Sequence, residues 1–322
     1  MNAIVYTRYG TPDELVLREV PTPEPGDGEV RVRVRAASLN AADWHLLTAD
    51  IPLVRLQSGL LRPRRRILGM DVAGVVDAVG KGITTCRPGD EVFGDVWGAG
   101  GGALAQYVCV PAACLAPAPR GLTLEQAAAV PLAGATALQA LRRAAPAKGD
   151  HVLVQGAAGG VGTFAVQIAK ALGARVTAVC SARNADQAGE LGADRVVDYA
   201  ITDVTAEGER YDVILGVNGY HPIRAYRRML APGGRYLMVG GGGRQMLEAL
   251  ALGRLLSLGG DRSLGFVTAK TGPEDLAELT RLIGEGSVRP VIDRTFPLAE
   301  AAEAMRHLGG GHARGKVVVA VE

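Results

Sequence analysis

A chain of 322 residues, 48% hydrophobic, with 44 glycines and a formal net charge of only +2, is not a disordered chain, a fibre or a nucleic-acid-coating protein. Its length suggests about two domains, each able to bury a core. No stretch is apolar for the length that spans a bilayer, no signal pattern precedes the first strand, and Cys86, Cys109, Cys114 and Cys180 lack a metal or disulfide spacing. These features lead us to expect a cytoplasmic protein with no membrane span and no nucleic-acid partner.

The first part reads as β-rich. Ala3 to Arg8 and Glu14 to Glu19 are expected strands, and Pro21 to Gly28 is a turn cluster. Glu29 to Arg35 alternates, with Val30, Val32 and Val34 on one face and Arg31, Arg33 and Arg35 on a solvated one. Ala41 to Arg66 then holds an apolar piece, Ile51 to Leu61, and a basic one, Arg62 to Arg66. This segment reads either as a surface helix with a solvated tail, or as a lid or electrostatic guide. Strands follow at Val72 to Val79, Glu91 to Gly94 and Leu104 to Val110, punctuated by Gly and Pro, as in a small barrel-like domain.

Leu122 to Arg143 is helical, and Pro131 should break it in two. His151 to Gln155 reads as a buried strand, Gly156-Ala-Ala-Gly-Gly-Val-Gly162 as a glycine-rich turn, Thr163 to Leu172 as a helix and Arg175 to Cys180 as a second strand. Such a βαβ unit lets the backbone approach a pyrophosphate at a helix N-terminus. Further strands at Arg195 to Tyr199, Tyr211 to Gly216, Gly234 to Val239 and Ser263 to Thr268 make six. Helices are expected at Pro222 to Leu230, stopped by Pro232-Gly233-Gly234, and at Gln245 to Leu256. Alternating strands and helices mean a parallel, doubly wound sheet. Thr271-Gly-Pro-Glu274 has the capping-box pattern ahead of a helix to Gly284, Leu298 to Leu308 is a last helix, and Lys316 to Val321 a last strand.

The end of the second strand bears on cofactor choice. A carboxylate there would favour NAD; Cys180-Ser-Ala-Arg-Asn184 has none, and Arg183 with Ser181 suits a 2′-phosphate. NADPH is the expected cofactor.

These residues, with Ala36-Ala-Ser-Leu-Asn-Ala-Ala-Asp-Trp44, Gly69-Met-Asp-Val-Ala-Gly74, Pro131-Leu-Ala-Gly-Ala-Thr-Ala137, Leu191-Gly-Ala-Asp-Arg-Val-Val-Asp-Tyr199 and Gly311-His-Ala-Arg-Gly-Lys-Val317, resemble the zinc-independent, quinone-oxidoreductase-like branch of the medium-chain dehydrogenase/reductase superfamily. The resemblance implies an α/β protein. A GroES-like catalytic domain (residues 1–120 and 262–322) would carry an inserted Rossmann NADP-binding domain (121–261), with the active site in the cleft. It places Thr136 at the nicotinamide, Ala158, Gly159, Gly160 and Val161 at the pyrophosphate, and Ser181, Arg183 and Tyr199 at the adenosine phosphate. Val217, Val239, Gly240, Phe266 and Val267 would line the nicotinamide side, Lys316 would sit near the cofactor or cleft, and Asn40 next to hydride transfer. It also suggests a homodimer through the nucleotide-binding domains.

The zinc-dependent relatives carry Cys where this chain has Asn40, Gly-His-Glu where it has Gly69-Met-Asp71, and Cys where it has Leu132; their four-cysteine lobe is missing. Asn, Met and Leu do not make a zinc site, so no metal is expected, and His45 reads as a rim or packing residue. Without a Lewis acid to hold an alkoxide, the expected substrate is a quinone or an α,β-unsaturated carbonyl, whose own conjugation delocalises the arriving charge. Asn40 could donate a hydrogen bond to the developing oxyanion. Asp43, Asp71 and Tyr107 are possible proton relays. An enoyl-thioester reductase, or a non-catalytic NADPH-binding protein of the same fold, would share these cofactor features.

Overall fold

The computed structural model of the chain describes residues 1–219, 221–240, 243–257 and 260–322. Two compact units divide it: residues 1–133, 271–284 and 290–322 form the first, and 134–270 with 285–289 the second.

The first unit is organised around the strand Glu29–Leu39, whose two halves have different partners. Glu29 to Arg33 pair with Tyr107–Pro111, and Ala36 to Leu39 pair with Lys316–Ala320, both antiparallel. Asp71–Val79 runs along nearly the whole of it. The sequence follows this change of partners. Residues 29–35 alternate between buried valines and more exposed charged residues, whereas Ala36 to Leu39 are buried without interruption. Glu91–Asp95, Leu115–Pro117 and Ile292–Pro297 complete a seven-stranded sheet, and Asn2–Val5 pairs separately with Val16–Glu19. The core behind it is aliphatic, with Val30, Val32, Val72, Leu104 and Val317 fully buried.

The second unit holds six parallel strands in the order 195–198, 175–180, 151–155, 211–216, 230–238 and 263–266. This is the doubly wound arrangement expected from the alternating pattern, and its first strand lies centrally. The expected break at Pro131 is present: Leu124–Ala128 is one helix, capped by the Thr123 hydroxyl, and Pro131–Ala144 is the next.

Several expectations are corrected. The compact units divide elsewhere than the anticipated 120/121 and 261/262 boundaries, because Ser263–Phe266 is hydrogen-bonded into the parallel sheet and residues 121–133 group with the first unit. The glycine-led helix starts at Gly160 rather than Thr163. Pro232-Gly233-Gly234 does not end an element; it is absorbed in a register shift within the strand Leu230–Met238. The following helix starts at Pro273, so Gly272 rather than Thr271 precedes it; Asp275 Oδ2 accepts from the Gly272 amide at 3.2 Å, and the Thr271 hydroxyl donates to Asp95 Oδ2 at 2.9 Å. Leu115–Pro117 and Ile292–Pro297 are strands that the sequence pattern did not disclose. In the apolar and basic segment, Leu56, Leu60 and Leu61 are exposed and Arg65 lies over the Trp97 ring; the side chains of Pro52, Leu53 and Gln57 lie outside the described residues.

Candidate active site

The glycine turn of the second unit is shaped by close packing at two of its glycines and by open space at a third. A Cβ on Gly156 would lie 2.6 Å from the Asn218 amide nitrogen, at a φ of +87°, and one on Gly162 would lie 2.2 Å from the Gly156 carbonyl oxygen. At Gly159 the nearest atom to such a Cβ is 4.0 Å away. Gly159 is the N-cap of the helix Gly160–Ala171, so the amides of Gly160, Val161 and Gly162 have no acceptor four residues back within that helix. This open, donor-rich end of a twelve-residue helix suits a pyrophosphate. Ala158 is buried beside it. Gln155, the last residue of the preceding strand, keeps a buried Oε1 that no described residue satisfies.

Strand pairing gathers the expected adenosine-phosphate residues. Cys180 is paired with Asp198, so Ser181 and Tyr199 leave adjacent strand ends, and the Tyr199 amide donates to the Cys180 carbonyl at 3.3 Å. Arg183 is exposed in the short turn Ala182–Asn184. Buried Asn184 donates from Nδ2 to Ser181 Oγ at 3.1 Å, which leaves that hydroxyl's own proton for another acceptor. Sequence reading passed over Asn184; its neighbour Ser181 was the available signal. The residues expected on the nicotinamide side also lie at strand ends. The Val217 amide donates to Gln155 O at 2.9 Å, those of Val239 and Gly240 to Gly216 O at 2.9 and 3.3 Å, and that of Val267 to Met238 O at 2.8 Å; Phe266 pairs with Met238. Thr136 is buried in the helix Pro131–Ala144.

Asn40 and Lys316 belong to the first unit and meet each other there. Ser38 is paired with Asp71, Asp71 with Asp95, and Leu39 with Val317, so Ser38, Asn40, Asp71, Asp95 and Lys316 collect at one end of the sheet. Lys316 Nζ donates to Asn40 Oδ1 at 2.5 Å and to Asp71 Oδ2 at 3.1 Å. Asn40 Nδ2 and Ser38 Oγ each donate to Asp71 Oδ2 at 2.9 Å, and the Leu132 amide donates to Asp71 Oδ1 at 2.9 Å. Lys316, expected near the cofactor or cleft, bonds Asn40 and Asp71. Of the possible relays, Asp43 is buried and accepts the Asn40 and Gly69 amides at 2.9 and 3.0 Å. Burial pushes its carboxyl up to about 7, with the Asp71 charge adding and those two amides opposing. Asp95, which sequence reading missed, is pushed up to about 6 by burial and then by Asp71, against the Trp97 amide and the Thr271 hydroxyl. Tyr107 is half-buried in its strand with Arg31 over its ring.

These side chains do not fit a zinc ion. No three His, Cys, Asp or Glu residues converge to hold a metal among the described residues, and the Asn40 oxygen faces an ammonium. The four cysteines are free, and His45 Nδ1 bonds Asp50 at 2.8 Å. No helix among the described residues is long and apolar enough to cross a membrane.

The family described as "Alcohol dehydrogenase GroES-like domain" matches residues 26–120, and that described as "Zinc-binding dehydrogenase" matches residues 191–319. A chloroplast envelope quinone oxidoreductase homolog of Arabidopsis thaliana is 34% identical, over 99% of this chain and 98% of its own length. The chain belongs to the medium-chain dehydrogenase/reductase superfamily, in its zinc-independent, quinone-oxidoreductase-like branch. A trans-enoyl reductase of Aspergillus terreus is 32% identical, over 89% of this chain and 85% of its own length. The solved quinone oxidoreductase of Coxiella burnetii superposes with a TM-score of 0.89 at 31% identity, over 100% of this chain and 99% of that one. The second family description names zinc, an ion that the amide of Asn40, turned toward an ammonium, does not suit.

Proposed function

We propose that the protein is an oxidoreductase that transfers a hydride from NADPH to a quinone or an α,β-unsaturated carbonyl. The observation that carries this reading is the Asn40 amide, bound between Lys316 and Asp71 where metal-dependent relatives need a ligand. Ala158, Gly159, Gly160 and Val161 would hold the pyrophosphate. Ser181, Arg183 and Tyr199 would hold the 2′-phosphate, and Thr136, Val217, Val239, Gly240, Phe266 and Val267 would bound the nicotinamide. NADPH, when bound, supplies the hydride. Asn40 offers an amide hydrogen to the acceptor's carbonyl oxygen, where the electron pair displaced by hydride addition accumulates. Apolar Val217, Val239 and Phe266 would limit the access of water to the transferring carbon, and the product anion would take its proton from solvent. A metal-free site of this kind favours acceptors whose product anion is already delocalised over those that yield a bare alkoxide.

An enoyl thioester is the second reading. It meets the same electronic requirement, and the exposed Arg62, Arg64 and Arg66 would suit its phosphorylated carrier. The test is NADPH consumption against quinones, enones, enoyl thioesters and saturated aldehydes, with product identification and with chelator present. Quinone or enone reduction insensitive to chelator is expected. Alcohol oxidation faster than either reduction, or tight NADPH binding with no turnover on any acceptor, would overturn the proposal.

A further inference from the structure

The side chain of Lys316 is 3% exposed, Asp71 is fully buried, and Asn40, at 9%, is the most accessible of the three. An ammonium is a donor with no acceptor, and an ionised carboxylate is an acceptor with no donor. Both neighbours of Asn40 therefore select the same orientation of its amide. Oδ1 must face Lys316 Nζ, at 2.5 Å, and Nδ2 must face Asp71 Oδ2, at 2.9 Å. Flipping the amide would set NH2 against the ammonium and oxygen against the carboxylate. Nδ2 carries two hydrogens; one goes to Asp71, and the other, among the described residues, has only the Ser38 carbonyl at 3.5 Å, the outer limit of a hydrogen bond.

We propose that Lys316 is a positioning residue: anchored on Asp71, its ammonium locks and polarises the Asn40 amide, so that the second Nδ2 hydrogen is presented to the oxyanion that develops on the substrate. A fixed cation thereby acts through an amide at a position where zinc-dependent relatives are expected to place a metal ligand. Pulling electron density toward Oδ1 makes the Nδ2 hydrogens stronger donors, because charge-assisted bonds in a low-dielectric site polarise their neighbours. Asp71 is held ready for this by four donors: Lys316, Asn40, Ser38 and the Leu132 amide. The substrate role of the amide rests on the conjugated-acceptor reading above; the electrostatic role of Lys316 is tested apart from it.

The probe is 4-nitrophenolate, a conjugated oxyanion whose ionisation is visible by its absorbance. Lys316→Met leaves Asp71 buried without its counter-charge and risks the fold, so the double variant Lys316→Met/Asp71→Asn, which removes both charges, is measured beside it and beside Asn40→Ala. Phenolate affinity should fall about tenfold or more in the double variant and in Asn40→Ala, and combining them should cost little further, because both remove one donor. The NADPH dissociation constant should stay within about twofold, and quinone kcat should fall with KM nearly unchanged. Undiminished phenolate affinity in the folded double variant would overturn the proposal. So would NADPH binding weakened tenfold with phenolate unaffected, which would make Lys316 a cofactor contact, or a wild type that reduces quinones without binding phenolate. Phenolate binding that depends on Lys316 in a protein that reduces no quinone or enone would sink the reaction and leave the positioning role standing.

Discussion

Arg183 stands exposed in the turn after the second parallel strand, two residues beyond Ser181 and beside the strand end that carries Tyr199. Its guanidinium suits the 2′-phosphate that distinguishes NADPH from NADH, so Arg183→Ala should weaken NADPH by about 1.5 kcal/mol, roughly tenfold, and leave NADH nearly unchanged. Fluorescence titration of both nucleotides checks this; equal wild-type affinities, or an NADPH constant unmoved by the substitution, would remove Arg183 from the site. Asp43 makes a pH prediction of definite sign. Its carboxyl titrates near 7 in the folded protein, against an unfolded value of about 3.9, so between those values the folded state binds more protons than the unfolded one. The contribution of Asp43 to stability therefore falls as pH rises from about 4 to 7, and Asp95, raised to about 6, acts in the same direction, while His151, held low by burial, acts in the opposite one. Urea midpoints across this window should decline less steeply for Asp43→Asn than for wild type. That variant should also be weaker throughout, since one amide oxygen cannot replace two carboxylate oxygens under the Asn40 and Gly69 amides. Matching slopes would show that Asp43 does not titrate in this range.

The glycine turn separates two jobs within one element. Gly162→Ala drives a Cβ into backbone atoms of Gly156 and Ala157, which cannot yield cheaply, and should destabilise the fold by about 1–3 kcal/mol. Gly159→Ala meets open space at an ordinary φ of −79°, so thermal stability should hold while nucleotide affinity drops, because the added methyl occupies the place of the ligand. Melting curves paired with NADPH titrations decide it, and a Gly159→Ala protein with full affinity would move the pyrophosphate elsewhere. The sequence made this turn legible because glycine spacing and flanking apolar runs are local. His151–Gln155, Arg175–Cys180 and Tyr211–Gly216 fall where their apolar runs end for the same reason. Ile292–Pro297 was hidden, since an edge strand carrying Asp293 and Arg294 shows no alternation and exists through its pairing with Lys316–Ala320. The polar cluster was half legible. Asn40, Asp71 and Lys316 were each singled out, but a register that joins residues 276 positions apart leaves no trace in local pattern, so the bond from Lys316 to Asn40 was not foreseen.

At the scale of the molecule, Ser263–Phe266 is the outer strand of the six-stranded sheet, hydrogen-bonded on one side to Leu230–Met238. An edge carrying Leu264 and Phe266 is a template for the same strand of a second copy, and we expect a homodimer formed there. Light scattering at micromolar concentration should give twice the 33.4 kDa chain mass, and Phe266→Lys should shift it toward the single chain. A wild-type protein of single-chain mass would exclude this interface. The same view of the whole chain gives meaning to the order in which the Asn40 cluster is made. During synthesis Asn40 and Asp71 leave the ribosome early, and all of residues 134–270 follow before Lys316 does. Until then Asp71 has no ammonium to meet, and Ala36 to Leu39 lack the antiparallel neighbour that Lys316–Ala320 supplies. The nascent protein can thus build its parallel sheet and glycine turn while the other centre is still electrically incomplete, so a chain truncated before residue 316 is expected to keep the parallel sheet and lose both the sheet neighbour of Ala36 to Leu39 and the counter-charge of Asp71.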